Sequence, residues 1–371
     1  MPNPNAIVGR VSRLDPPVEG QPRGERVVIL RDDQRARLDP NDRKSEGLAR
    51  ILDGMGKLGR PVYLEIDPGT RFIKRLLLPD VSRVARIEPR EDGSLDVMLE
   101  MSHAIRKLKK ESSDFADFSA RLKESERDRA TPLIVTFEDD GTIIDVRGFR
   151  PGPDGDLPPF PKPKWPPLLR WIIDWLRWIL RWPFWPWRWW WFGCISSTKA
   201  QQVFDAMATT TCAPLTVPAP CIPFLFPDDG CWARAHEMVR LMLAMGLKPK
   251  KVWIQGWPLH PDTKNNPNCT VYWGWHVAPT LCVRSGWFWF GERMVIDPSL
   301  FTTPVTKAVW KNVQKNPNAT LTDTDGSYYH WIISQPDDPG YADTNYYLNY
   351  YRLQLQTRSL QVGPPPYANC P

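Results

Sequence analysis

The residues best suited to chemistry lie in the run Pro227-Asp228-Asp229-Gly230-Cys231-Trp232-Ala233-Arg234-Ala235-His236. Asp and Gly initiate helices, and from Cys231 onward Ala235, Met238, Met242 and Met245 recur every three or four residues before Gly246. That spacing predicts a helix with an apolar stripe facing a core, ended by the glycine. Cys231 then sits in the first turn, where unpaired backbone N–H groups and the positive end of the helix dipole lower a thiol pKa and favour the thiolate. The same N–H groups, that of Cys231 included, suit a tetrahedral oxyanion.

A nucleophilic thiol needs a base, and a base needs holding. Thr270 to Val283 reads as a strand containing His276, and Met294 to Ile296 as a second strand running into Asp297-Pro298. The turn-like Arg-Ser-Gly lies between them, so a simple hairpin sets His276 and Asp297 opposite each other on adjacent antiparallel strands. The candidate catalytic set is Cys231 as nucleophile, His276 as general base and acid, and Asp297 as orienter.

The other histidines read as structural. His236 lies five residues past Cys231, about 140° around the helix, so it faces elsewhere as a buried hydrogen-bonding residue. His260 falls in a Pro-Leu-His-Pro loop, His330 in an aromatic strand, and His103 reads as a solvated helix residue. A zinc site of Cys and His is not expected, because no pair has the close cysteine spacing of structural zinc, and no metal residue is assigned.

These candidates belong to one of two unlike halves. All seven cysteines and nineteen tryptophans lie after residue 164, while residues 1–150 hold neither type and more than half of the charges. The 48 basic and 42 acidic residues largely offset, so the formal charge of +6 is too mild for a nucleic-acid binder. At 371 residues and 42% hydrophobic, the chain can bury a core in each of two domains. The first ten residues contain no apolar run that would make a signal-peptide core, so export from this start is not supported. Cysteine use points the other way. Setting the candidate nucleophile aside leaves six of the seven cysteines, an even number that allows about fifteen pairings into three disulfides, as in an oxidising compartment.

Residues 1–150 read as an α+β domain. Arg26 to Leu30 and Pro61 to Ile66 are strand-like, and Ser45 to Met55 has helical spacing. Hairpin turns at Glu91-Asp92-Gly93-Ser94 and Asp139-Asp140-Gly141 join Val84–Glu88 to Leu95–Met101 and Leu133–Phe137 to Thr142–Val146. His103 to Arg129 reads as helix. With no nucleophile and base, phosphate loop or metal cluster, this half is expected to bind or shield something.

From 151 to 167 eight of seventeen residues are proline, a stiff linker. Residues 168–193 form a Trp-rich segment in which Arg170, Asp174, Arg177 and Arg181 share one face of an amphipathic helix. Its fifteen residues from Leu168 to Trp182 would run roughly 22 Å against a hydrocarbon core of about 30 Å. Contact with a membrane surface through 168–192 is one expectation, and packing against a neighbouring domain the other.

The motifs around the candidate set resemble the protein-glutaminase family, bacterial protein deamidases with a transglutaminase-like core. Gly230-Cys231-Trp232-Ala233-Arg234-Ala235-His236 is similar to the family's nucleophile motif, Trp275-His276-Val277-Ala278 to its His-Val-Ala strand, and Val295-Ile296-Asp297-Pro298-Ser299-Leu300-Phe301 to its Ile-Asp-Pro-Ser-Leu-Phe motif. The resemblance implies an α+β chain whose residues 194–371 form a papain/transglutaminase-like domain, with the nucleophile on a helix N-terminus packed on an antiparallel sheet. It implies a protein substrate with an accessible glutamine, no cofactor, an exported protein, and an inhibitory pro-region for which residues 1–150 are the counterpart. Trp232 and Trp275 are candidates to flank the glutamine stem. Rival readings are a transglutaminase or cysteine peptidase of the same fold, and a non-enzymatic membrane-active protein working through the Trp-rich helix; an effector combining the two is a further expectation.

Overall fold

Short runs of alternating apolar and charged residues build the first half as two copies of one unit. The computed structural model describes residues 3–15, 26–128, 131–149, 194–216, 220–284, 291–330 and 337–370. The expected Pro-rich linker at 151–167 and Trp-rich segment at 168–193 lie outside the described residues.

The first unit runs β1 (Ala6–Leu14), β2 (Arg26–Leu30), β3 (Arg35–Leu38), α1 (Ser45–Lys57), β4 (Pro61–Ile66) and β5 (Ile73–Leu77), with sheet order β3-β2-β1-β4-β5. In the second, β6 (Asp80–Ser82) and β7 (Val84–Pro89) together stand where β1 stands. They are followed by β8 (Leu95–Leu99), β9 (Ile105–Leu108), α2 (Phe115–Asp128), β10 (Leu133–Phe137) and β11 (Ile143–Gly148). Pairing as β7-β8-β9 and β6-β10-β11 repeats the order of the first unit. Each helix buries one stripe on its sheet: Leu48, Ile51, Leu52 and Met55 on α1, Phe118 and Leu122 on α2.

The helix expected from His103 to Arg129 is corrected. Its first part is β9, paired with β8, and the helix starts only at Phe115. Ile105 and Leu108 are buried on the sheet, so pairing and burial override the helix-forming lysines between and after them.

The second half carries α3 (Ser197–Ala208), α4 (Cys231–Ala244), β12 (Lys250–Leu259), β13 (Trp273–Arg284), β14 (Gly291–Val295), β15 (Val305–Thr306), α5 (Lys307–Asn312), β16 (Thr320–Asp325) and α6 (Ala342–Gln361). Ser196 caps α3, its hydroxyl accepting from the Lys199 N–H at 3.1 Å. The sheet order is β15-β14-β13-β12-β16, all antiparallel, and α4 lies across β13. The chain is α+β. Along α4, Ala235, Met238 and Met242 face the core, whereas Met245 is 46% exposed: it is already the C-cap, beside Gly246 at φ 74°. Cysteines pair as Cys194–Cys282, Cys212–Cys221 and Cys269–Cys370, leaving Cys231 free.

The halves share one apolar core, from Val28 and Leu64 through Tyr350 and Tyr351 to Trp232. Helix α1 packs on α6 through Gly47 and Gly54, where an added Cβ would stand 2.5 Å from Leu360 and 2.9 Å from Leu353. Arg358 on α6 holds Asp228 through two nitrogens at 2.7 and 2.9 Å and Asp139 of the first half through Nε at 2.8 Å. This fork-shaped contact ties β10–β11 to the loop before Cys231.

Candidate active site

Gly230 has φ 80°, and a Cβ there would lie 2.3 Å from the Tyr351 ring, so only glycine lets the chain turn into α4 at this point. The next residue, Cys231, opens the helix and is 1% exposed. His276, equally buried, projects from β13, and its Nε2 lies 2.9 Å from Asp297 Oδ2. That oxygen also accepts from the Trp310 indole at 2.9 Å, while the Ser299 N–H donates to the other at 3.2 Å. The sulfur of Cys231 and ring nitrogens of His276 and His103 all lie within 4.8 Å of one another. The three candidate residues of the sequence reading are thus brought together.

Their register differs from the expected one. Thr280 faces Val295, so strict continuation would set Asp297 against Ala278 rather than His276. Asp297 stands past the end of β14, in a turn closed by the Leu300 and Phe301 N–H groups on its carbonyl, and from there its carboxylate reaches back to the imidazole.

His103 is a second correction. Far from being a solvated helix residue, it is 0% exposed in the loop between β8 and β9. Its ring stacks on His276 at 5.7 Å and packs against Trp273 at 5.0 Å and Trp275 at 5.4 Å. The backbone runs antiparallel beside the start of β13: Gly274 N–H donates to His103 O at 2.9 Å, and Ile105 N–H to Tyr272 O at 2.8 Å. Asp229, two residues before Cys231, accepts from the His103 N–H at 3.2 Å and the Ser102 hydroxyl at 2.5 Å. A loop of the first half thereby fills the space in front of the thiol.

Of the two tryptophans named as flanking residues, Trp275 touches His103, whereas Trp232 packs edge-on against His330, Tyr347 and Tyr351, its ring 6.3 Å from His103. Trp273 and Trp310, which the sequence did not single out, stack on His276 at 4.3 and 5.5 Å. Strict alternation along β13 would set Trp273 on the face opposite His276, so no local signal marked it, and none marked Trp310. His236 takes the structural place expected of it, buried with Nδ1 2.9 Å from Lys251 Nζ.

Burial reverses the expected thiol chemistry. It raises the Cys231 pKa well above the ordinary range; Arg234 and the Val277 N–H lower it, and Asp229 adds to the rise. The helix terminus was expected to favour thiolate, but a closed, dry site favours the neutral thiol. Burial also pushes Asp297 up, yet His276, the Trp310 N–H and Arg234 outweigh it, and its net shift is downward. Burial, with His276 and Arg234, holds His103 neutral. Asp229 is pushed up to about 7 by burial and then by Asp80, against Arg106 and its hydrogen bonds.

The site thus sets a buried thiol at a helix start beside an imidazole held by a carboxylate, with the helix laid on an antiparallel sheet. Residues 200–314, which include all three groups, match the family model described as Glutaminase. The resemblance drawn from the three motifs is therefore borne out over that segment. Among solved structures, the chain is similar to a crystal structure of pro-protein-glutaminase, at 20% identity and TM-score 0.50, covering 80% of this chain and 99% of that one. Such coverage takes in much of the first half as well as the second, so the shared fold extends over both. The chain is also similar to protein-glutaminase from Chryseobacterium proteolyticum, solved by NMR, at 28% identity over 41% of this chain and 84% of that one, with TM-score 0.37. No curated protein matches the chain.

Proposed function

We propose that this protein is a protein-glutamine deamidase held shut by its own N-terminal half. The observation that carries the reading is the seating of Cys231, His276 and Asp297 within 200–314, the stretch that matches the glutaminase family. Cys231, as thiolate, attacks the side-chain amide carbon of a protein-bound glutamine. Protonated His276 gives its proton to the departing nitrogen, which leaves as ammonia, and a γ-glutamyl thioester remains. Water then loses a proton to His276 and attacks the thioester; the thiol is regenerated and glutamate released. Asp297 holds one ring nitrogen throughout, so the other is free for both transfers.

Residues 1–150 act as the inhibitory pro-region in this reading. His103 stands where the substrate side chain would enter between Trp273 and Trp275, and the dry site around it keeps Cys231 a thiol. A cut between residues 150 and 193 followed by departure of the first half opens the site to water and substrate. Among the described residues no helix is long and apolar enough to cross a membrane.

The test is ammonia release from casein by the intact protein, the protein cut between residues 150 and 193, and the cut Cys231→Ala variant. Release after cutting that depends on Cys231 supports the whole reading. Equal release before and after the cut removes the inhibitory role, and amine incorporation or peptide cleavage in place of ammonia removes deamidation.

A further inference from the structure

The loop histidine does more chemically than fill space. His103 Nδ1 is anchored to Trp275 O at 2.9 Å, and His276 Nε2 to Asp297 Oδ2 at 2.9 Å. Their opposite ring nitrogens, His103 Nε2 and His276 Nδ1, are both buried and have no hydrogen-bond partner. With Cys231 Sγ, these rings supply three donor atoms within 4.8 Å of one another. A histidine that binds a metal through one nitrogen almost always donates its other N–H to a carboxylate or backbone carbonyl, and both imidazoles here are held in that manner.

We infer that His103, Cys231 and His276 form a binding site for a zinc-class cation that fastens the N-terminal half over the thiol. Two nitrogens and a sulfur suit zinc, with water as the fourth ligand. Tetrahedral bonds of about 2.0–2.3 Å require the three donors to draw together modestly, which a loop side chain and a cysteine rotamer accomplish. The balance is simple: the Cys231 thiol gives its proton to solvent, sulfur and the two nitrogens each donate a lone pair to the cation, and nothing is oxidised or reduced. The carboxylate of Asp229, 3.6 Å from His103 Nε2, adds negative charge beside the cation. The cysteine-spacing rule that excluded zinc from the sequence applies to ligands within one segment; these three come from the β8–β9 loop, the start of α4 and the middle of β13. The site needs the closed arrangement of the two halves and is independent of which reaction the open enzyme performs.

The experiment titrates metal-free full-length protein with Co2+, then displaces it with Zn2+, alongside His103→Gln, Cys231→Ala and His260→Ala. The expected result is one ion per chain with a thiolate-to-cobalt charge-transfer band. The band vanishes in Cys231→Ala, weakens in affinity at least about tenfold in His103→Gln and survives in His260→Ala. Equal affinity in His103→Gln, or no thiolate band in the wild type, overturns the proposal. Should His103→Gln fail to fold, the wild type still decides. Cys231 is the sole free thiol, and Zn2+ at about a hundred times its Kd lowers the alkylation rate roughly a hundredfold by mass action. An unchanged rate overturns the site.

Discussion

Ser102→Ala tests whether the loop over Cys231 is a clasp with its own energetics. Ser102 is 1% exposed, and its hydroxyl donates to Asp229 Oδ2 at 2.5 Å while accepting the Ala104 N–H at 3.1 Å. At pH 8.5 Asp229, whose carboxyl titrates near 7, is ionised. A hydrogen bond to a charged group contributes about 1.5–3 kcal/mol. Every 1.4 kcal/mol is a factor of ten, so opening of the loop should become about ten- to a hundredfold more frequent. Alkylation of Cys231 under non-reducing conditions reads that equilibrium directly, since the other six cysteines are paired. Ser125→Ala is the control: its hydroxyl supports Val84 N and Thr131 O in the same half, away from the thiol. The reasoning fails if Ser102→Ala labels within about twofold of wild type, or if Ser125→Ala labels equally fast, for then labelling reports unfolding of the whole half.

Asp297→Asn in the cut protein should lower kcat for ammonia release by about 10²–10⁴ through loss of the imidazole's tautomer and orientation; a fall under tenfold would remove Asp297 from the machinery. The raised Asp229 carboxyl makes closure pH-dependent: its stabilising effect is fully present below pH 4 and is lost as pH rises through about 7. Hydrogen exchange at the Gly274 amide, which donates to His103 O, should therefore accelerate over that interval beyond the intrinsic base-catalysed increase. Arg358→Ala strands the buried Asp228 carboxylate and should cost about 3–5 kcal/mol in urea unfolding; a loss below 1 kcal/mol would show that the fork contributes little to joining the halves.

The thiol, imidazole and carboxylate were legible because each sits at a point that local rules define. A glycine-led helix start places Cys231 in its first turn, and an antiparallel pair of strands puts His276 within reach of Asp297. The register was two residues off, since hairpin symmetry locates strands while the turn after β14 decides where the carboxylate goes. Strands β2, β4, β7, β8, β10 and β11, with α1 and both hairpin turns, followed from period and turn chemistry, whereas β1, β3, β5 and β6 went unread and β9 was read as helix. The repeat of its two units shows in the sheet topology, and comparing them exposes the loop: Arg31–Gln34 joins β2 to β3, while the longer Glu100–Ala104 joins β8 to β9.

What no local rule could supply was the meeting of that loop with the thiol. His103 and Cys231 are far apart in sequence, and the packing of α1 on α6, the Arg358 fork, the shared core and the loop's hydrogen bonds to β13 and Asp229 bring them together. The state of the thiol was decided at the same level. A helix terminus acts through a few neighbouring residues, but desolvation depends on everything that excludes water, here Trp273 and Trp275 of β13 together with His103 from the first half. By itself the sequence determined which groups could react; the tertiary structure decided that in this state they are closed off, neutral at sulfur, and gathered with a third donor around one point.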